Sequence, residues 1–185
     1  TGSDGKTTTT SVIAGLLQAA GKTVHLGGNI GWPLLPRIEQ GRPDDAAVVE
    51  LSSFMLMQME HSPQVGVVTN VAPNHLDWHT DMAEYIGAKK NIVRFQQPGN
   101  RAVLNADNDV TAGFAGDLAG DVFLFSRLHP VGQGTYLGED GILYGRVGDQ
   151  SVPILPAREI RLPGDHMVEN FLAAFAATWG MVPPA

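Results

Sequence analysis

A chain of 185 residues is long enough for about one large domain with a sizeable core, and 43% hydrophobic against 17% charged residues excludes an intrinsically disordered polymer. Twelve basic against 19 acidic residues leave a net charge of −7, which argues against a nucleic-acid or anionic-membrane surface, so an anionic ligand must be held by a local site. With no cysteine and no apolar run near 18 residues, neither a disulfide framework nor membrane insertion is expected, and the cytoplasm is the expected compartment.

The chain opens on Thr1-Gly2-Ser3-Asp4-Gly5-Lys6-Thr7-Thr8, which reads as a phosphate-binding loop running into a helix. A triphosphate needs several backbone N–H donors, a lysine for its β- and γ-oxygens and a hydroxyl on Mg²⁺; Lys6 and Thr7 suit the last two roles. The full pattern G-x-x-x-x-G-K-[ST] puts its first glycine one residue before Thr1, so the reading expects a feeding strand upstream. Gly21-Lys22-Thr23 repeats the tripeptide in reverse context: there the glycine closes a helix carrying Ile13, Leu16, Leu17 and Ala20 on one face, and a strand follows over 23–27. No phosphate role is expected for this second copy.

A glycine-rich loop at 27–31 and a short helix at 33–38 come next. Apolar runs at 46–51 and 65–71 read as strands buried on both faces. Each ends in polar residues, which places 50–53 and 70–75 where ligands of parallel sheets bind. Asp81 caps a helix to about Phe95, then come a strand at 101–104, a weaker helix at 107–118 and a strand at 121–125. Short runs between Gly134 and Leu162 read as hairpins, and a strong helix with Val168, Phe171, Leu172, Phe175, Ala176 and Trp179 at core spacing ends at Gly180. The expected fold is α/β: one domain over 1–185, a doubly wound, mostly parallel sheet with a P-loop and a small antiparallel β appendage.

Several side chains could carry chemistry. Glu50 closes a strand directly before Ser52, where the acid can hold Mg²⁺ or cap the next turn and the serine can hold a phosphate or carboxylate. His75, Asp77 and His79 form H-x-D-x-H; without cysteine a structural zinc is disfavoured, leaving His75 as a magnesium-side ligand or a loop-satisfied histidine. At least one of Lys89 and Lys90 is expected to be solvated. Asp165 is a candidate cap for the last helix, compatible with a ligand role for Asn170 one turn on. The Met55-Leu56-Met57-Gln58-Met59 run reads as core or interface packing rather than a cofactor site.

Taken together, T-G-S-D-G-K-T-T at 1–8, G-G-N-I-G at 27–31, E-L-S-S-F at 50–54, N-x-x-x-x-H-x-D at 70–77, Y-x-x-A-K at 85–89, L-N-A-D at 104–107 and G-x-H-x-x-x-N-x-x-A-A at 164–174 resemble the central, ATP-binding domain of the Mur ligases. The second and third blocks resemble the branch that adds D-glutamate to UDP-N-acetylmuramoyl-L-alanine. The resemblance implies ATP and Mg²⁺ as cofactors, with Gly2, Ser3, Asp4, Gly5, Lys6, Thr7, Thr8, His166 and Asn170 on the nucleotide and Lys6, His75 and Lys89 as catalytic residues. It implies Thr7 and Glu50 on one Mg²⁺, and His75 with a carbamylated Lys89 on a second. Asn29 and Ser52 would face the UDP-linked muramoyl substrate, and separate N- and C-terminal domains of the same enzyme would complete the site around it and D-glutamate. Asp4, Trp78 and Met167 depart from the family's usual residues, and bear on loop docking and the adenine contacts. A sibling Mur ligase, a folylpolyglutamate synthase-like ligase and an unrelated P-loop kinase or NTPase are the alternatives; the last leaves Asn29, Ser52, His75 and Lys89 without a role.

Overall fold

The computed structural model describes residues 1–31, 33–73 and 79–182. Helix α1 (Lys6–Ala19) is followed by strands β1 (Val24–Gly28) and β2 (Ala46–Glu50), which pair in parallel. The short helix α2 (Ser53–Leu56) leads to β3 (Val65–Val68), α3 (Met82–Arg94), β4 (Arg101–Asn105), α4 (Asp109–Ala112) and β5 (Asp121–Ser126). Strands β6 (Gly134–Leu137), β7 (Ile142–Val147) and β8 (Gln150–Pro156) precede the closing helix α5 (Asp165–Thr178). Residues 35–40, 115–117 and 157–159 are 3₁₀ turns, so the helix read at 33–38 is a tighter turn displaced by two residues, and the one read at 107–118 breaks into α4 and a 3₁₀ turn.

The second sheet runs β3-β4-β5-β6-β7-β8, parallel through β6 and antiparallel beyond it. The antiparallel hairpins therefore extend the main sheet from its edge, because β6 pairs in parallel with β5 over Leu124–Gly134 to Ser126–Tyr136. Period-2 alternation assigns the two faces: Ala102 and Leu104 enter a core with Leu56, Tyr85 and Ile92, while Val103 enters one with Phe123, Phe125 and Leu172. Helices α2 and α3 thus cover one face and α5 the other. Ala14 and Leu17 of α1 pack on Val48 of β2 in a third, smaller cluster. Among the described residues no helix is long and apolar enough to cross a membrane.

A cleft of about 880 Å³ separates β2 from β3, lined by Thr9, Ile13, Val48, Val65 and Val67 among others. At its end the Thr1 amino group donates to Val67 O (2.9 Å) and Thr69 N–H donates to Thr1 O (3.0 Å). These two bonds straddle Val68 as rungs of a parallel ladder do. The single sheet expected from the sequence is divided at this place.

Candidate active site

All the strands from β1 to β5 run in parallel registers, so their carboxyl ends gather at one edge, and the N-terminus of α1 faces the same edge. Residues 1–5 make the turn into α1. Gly5 sits at φ 76° as the N-cap, and a Cβ there would strike the Asn170 Oδ1 of α5. A Cβ on Gly2 would strike the Thr69 hydroxyl. Both positions therefore require glycine, one by conformation and one by close approach. The loop is held by Asn70, whose Oδ1 accepts from the N–H groups of Ser3 (3.1 Å) and Asp4 (2.9 Å), and by Thr69, whose hydroxyl donates to Asp4 O at 2.6 Å.

This construction leaves the first turn of α1 uncapped by any side chain and free of acidic residues. The unpaired N–H groups and the positive end of the helix dipole together suit an anion. Lys6 Nζ donates to Ser3 O at 2.9 Å, curled over the same loop, and Thr8 continues the helix behind it.

Glu50 is 2% exposed at the end of β2. Its Oε2 accepts from Thr7 Oγ1 at 2.7 Å and its Oε1 from Asn29 Nδ2 at 2.8 Å. Among the described residues no basic side chain forms an ion pair with it. A buried carboxylate without a cation is costly, and each oxygen keeps a free lone pair. The described residues contain no cluster of three or more His, Cys, Asp or Glu that could cage a metal. One carboxylate, one threonine hydroxyl and room for ligand oxygens match the sparse protein coordination that Mg²⁺ accepts.

Lys89 is buried, at 2% exposure, so of the two helix lysines it is Lys90 that turns outward. Its Nζ donates to Gly2 O at 2.7 Å and lies 4.6 Å from the centre of the Tyr85 ring. Burial, aided by the positive charge of Lys6, pushes its pKa down to about 7. Lys90, one step along α3, reaches Asp117 at 3.1 Å on the exposed side. Tyr85 is fully buried. Because the one Ser3 proton goes to Ala72 O (2.9 Å), it is the Tyr85 hydroxyl that donates to Ser3 Oγ (3.0 Å).

Ser52 is the N-cap of α2, accepting from Met55 N–H at 3.3 Å, two residues beyond Glu50. Asn29, whose backbone N–H bonds to Glu50 O at 2.8 Å, is drawn to the same carboxylate. Asn170 is 5% exposed, accepts from Thr9 Oγ1 at 3.2 Å and covers Gly5. His166 stands apart: it is exposed and its ring folds over Gly164, without a hydrogen bond to the loop. Asp165 does not cap α5; the N-cap is Gly164, and the Asp165 carboxylate pairs with Arg127 at 3.3 Å. His75, Asp77 and Trp78 lie outside the described residues. In the methionine run, Leu56 is in the core and Met55 and Met57 are exposed, a mixed outcome. Sequence reading passed over Thr9 and Thr69 as site-building residues; Asn70 and Tyr85 had a signal as first letters of two of the blocks, and His79 as the last letter of H-x-D-x-H.

An open α/β sheet with a glycine turn, a lysine and an uncapped helix N-terminus at its carboxyl edge defines a domain of the nucleotide-binding class. The Mur ligase middle domain profile matches residues 1–178, and the chain belongs to that family. It is 53% identical over 177 residues to the UDP-N-acetylmuramoylalanine–D-glutamate ligase of Acetivibrio thermocellus, covering 96% of this chain and 38% of that protein. The enzyme of the same name from Symbiobacterium thermophilum is 48% identical over 179 residues, with 96% and 39% covered. The chain therefore spans somewhat over a third of the length of these curated relatives. Among solved structures, a UDP-N-acetylmuramate:L-alanyl-gamma-D-glutamyl-meso-diaminopimelate ligase of Neisseria meningitides superposes with a TM-score of 0.71 at 20% identity, over 99% of this chain and 60% of the other. A UDP-N-acetylmuramoyl-L-alanyl-D-glutamate–2,6-diaminopimelate ligase superposes at 0.70 and 19% identity, over 100% and 45%. At such identities these two similarities establish the fold.

Proposed function

We propose that this chain is the ATP-binding part of an enzyme that joins D-glutamate to UDP-N-acetylmuramoyl-L-alanine, an ADP-forming ligation in peptidoglycan synthesis. The observation that carries the reading is the convergence of Lys6, Thr7, Glu50 and Lys89 on one loop, together with relatives of that name at up to 53% identity. Residues 2–8 act as the phosphate-binding loop: the N–H groups at the start of α1 hold the β- and γ-phosphates and Lys6 neutralises them. Thr7 and Glu50 hold one Mg²⁺, which when bound offsets the charge of the transferring phosphoryl group. Asn29 orients Glu50 from the opposite side, and with Ser52 it faces the UDP-linked substrate. Asn170 lines the nucleotide side of the loop; His166 reaches the nucleotide only by leaving Gly164.

The reaction transfers the γ-phosphoryl group to the terminal carboxylate of the muramoyl substrate, and the D-glutamate amine then displaces phosphate from the acyl phosphate. No protein nucleophile is needed, so the chain's contribution is alignment and charge neutralisation. In this reading Lys89 serves as its carbamate, beside His75, on a second Mg²⁺. A carbamate forms from the neutral amine, and burial, which lowers the Lys89 pKa to about 7, favours that form. The other domains of the protein supply the uridine pocket and the closing contacts to D-glutamate.

The test is Lys6→Ala in the full-length protein, which is expected to abolish ATP-dependent ligation. Lys22 follows the αL glycine that ends α1, far from the loop in sequence and context, so Lys22→Ala is expected to leave turnover unchanged. Near-normal turnover by Lys6→Ala would exclude the phosphate-loop assignment.

A further inference from the structure

The buried His79 has no role in the reaction outlined above, yet it joins the two sides of the site. It is 3% exposed, with Nε2 3.0 Å from the Ser53 hydroxyl of α2. Its ring stacks on Phe54 (5.3 Å between centroids, 10° between planes) and meets the edge of Tyr85 at 5.1 Å. Among the described residues Nδ1 has no hydrogen bond; it lies 3.5 Å from a Glu84 oxygen, which is itself occupied by Thr80 N–H at 2.7 Å. The carboxylate beside Nδ1 favours the tautomer protonated there, so Nε2 accepts the Ser53 proton.

A four-residue helix has no stability of its own, so α2 is held by what it touches. Asn91 Nδ2 of α3 donates to Leu56 O at 3.0 Å and fastens its C-terminal end. The N-terminal end, which begins at Ser52, is fastened to the rest of the fold through Ser53 and His79. On the other flank of His79 is Tyr85, which carries Ser3 on its hydroxyl and Lys89 over its ring. A leucine or phenylalanine would fill the same space without leaving a buried nitrogen poorly paired, so the imidazole must be there for its directional bond.

We propose that His79 is a positioning residue for the muramoyl substrate: it locks the start of α2 to α3 and thereby fixes Ser52 relative to Lys89 and the loop. This inference rests on the ligase reading for the identity of the ligand at Ser52. The experiment uses the full-length protein with His79→Leu, which keeps bulk, His79→Gln, which can still present an acceptor to Ser53, and Ser53→Ala, which deletes one oxygen. KM values for the UDP-linked substrate and for ATP, kcat and melting temperature are measured for each and for the Ser53→Ala/His79→Leu pair.

His79→Leu and Ser53→Ala are each expected to raise KM for the UDP-linked substrate about five- to tenfold, the effect of one lost buried hydrogen bond, with KM for ATP within about twofold. His79→Gln should recover most of the loss, and the double variant should be no worse than the worse single one. Equal rises in both KM values, a fall in melting temperature with unchanged KM, or a glutamine no better than leucine would each overturn the proposal. Should His79→Leu fail to fold, Ser53→Ala carries the same decision. If Lys6→Ala retained turnover the nucleotide assignment would fall, and the His79 proposal would still be decided by titrating the UDP-linked substrate alone, where Ser53→Ala must weaken Kd by the same factor.

Discussion

At Lys89 burial and charge oppose each other most strongly, because its ammonium has one carbonyl and one ring face for company and another lysine nearby. An unfolded chain would hold this proton up to about 10.5, and the folded one releases it at about 7. Between those values the unfolded state binds more protons, so this group's contribution to stability rises with pH across that window, and its penalty is fully present below it. In bicarbonate-free buffer Lys89→Met should therefore be more stable than the parent below about pH 7, and its advantage should shrink towards pH 10.5, as read by chemical denaturation at several pH values. An advantage that stays flat with pH would mean that the amine is not desolvated. Function should respond differently: Lys89→Ala is expected to cripple ligation, and acetate to restore part of the rate by supplying the lost carboxylate oxygens. Lys90→Ala, which removes an exposed pair with Asp117 and a contact over the Phe114 ring, is the control and should cost little. Equal small losses at both lysines would sink the carbamate role.

Among the elements, the cleft between β2 and β3 is the feature with the clearest missing complement. Both of its walls are strand edges or apolar helix faces, and the Thr1 bonds to Val67 and Thr69 begin a parallel ladder that β3 could continue back to Val65. One extended strand of about four residues, running into Thr1, would satisfy both edges and unite the sheets. A protein extended upstream by the native residues should melt higher than the 185-residue chain, and the amides of Val65 and Val67, which face the cleft, should gain protection from hydrogen exchange. Unchanged protection would show that the cleft stays open. Much of this was legible in the chain: Asp81 and the 3.6-residue pattern located α3, the strands read at 101–104 and 121–125 are β4 and β5, and the polar ends of β2 and β3 marked the site edge. Local pattern could not reveal how the antiparallel appendage is attached, through β6 on β5, because that pairing joins residues across the turn at 127–133 by backbone bonds alone. Nor could it reveal the burial of Lys89, which depends on residue 2 returning to α3 across 87 positions.

For the whole molecule, the proposed reading divides the labour: the nucleotide side of the site lies within this chain, and the side facing the second amino acid lies in the rest of the protein. Gly5 at the turn into α1, and Lys6, Thr7, Glu50, Lys89 and Asn170 from α1, β2, α3 and α5, build one hydrogen-bonded loop, which in the proposed reading is preorganised for a triphosphate. Asn29, by contrast, is exposed and Ser52 is half-buried. Catalysis of this kind needs the carboxylate, the phosphoryl group and the incoming amine held within reacting distance at once, and loss of that alignment removes many kcal/mol of barrier lowering, of order 7–11 in well-oriented systems. The isolated 185 residues should accordingly bind Mg·ATP weakly, with calorimetry detecting a site that Lys6→Ala removes, and yet form no ligated product with D-glutamate and the UDP-linked substrate. Adding the remaining domains as separate polypeptides should restore little, because closure around the substrate then has to overcome the entropy of association. Ligation by this chain alone would show that alignment is complete within it and would refute the division of labour proposed here.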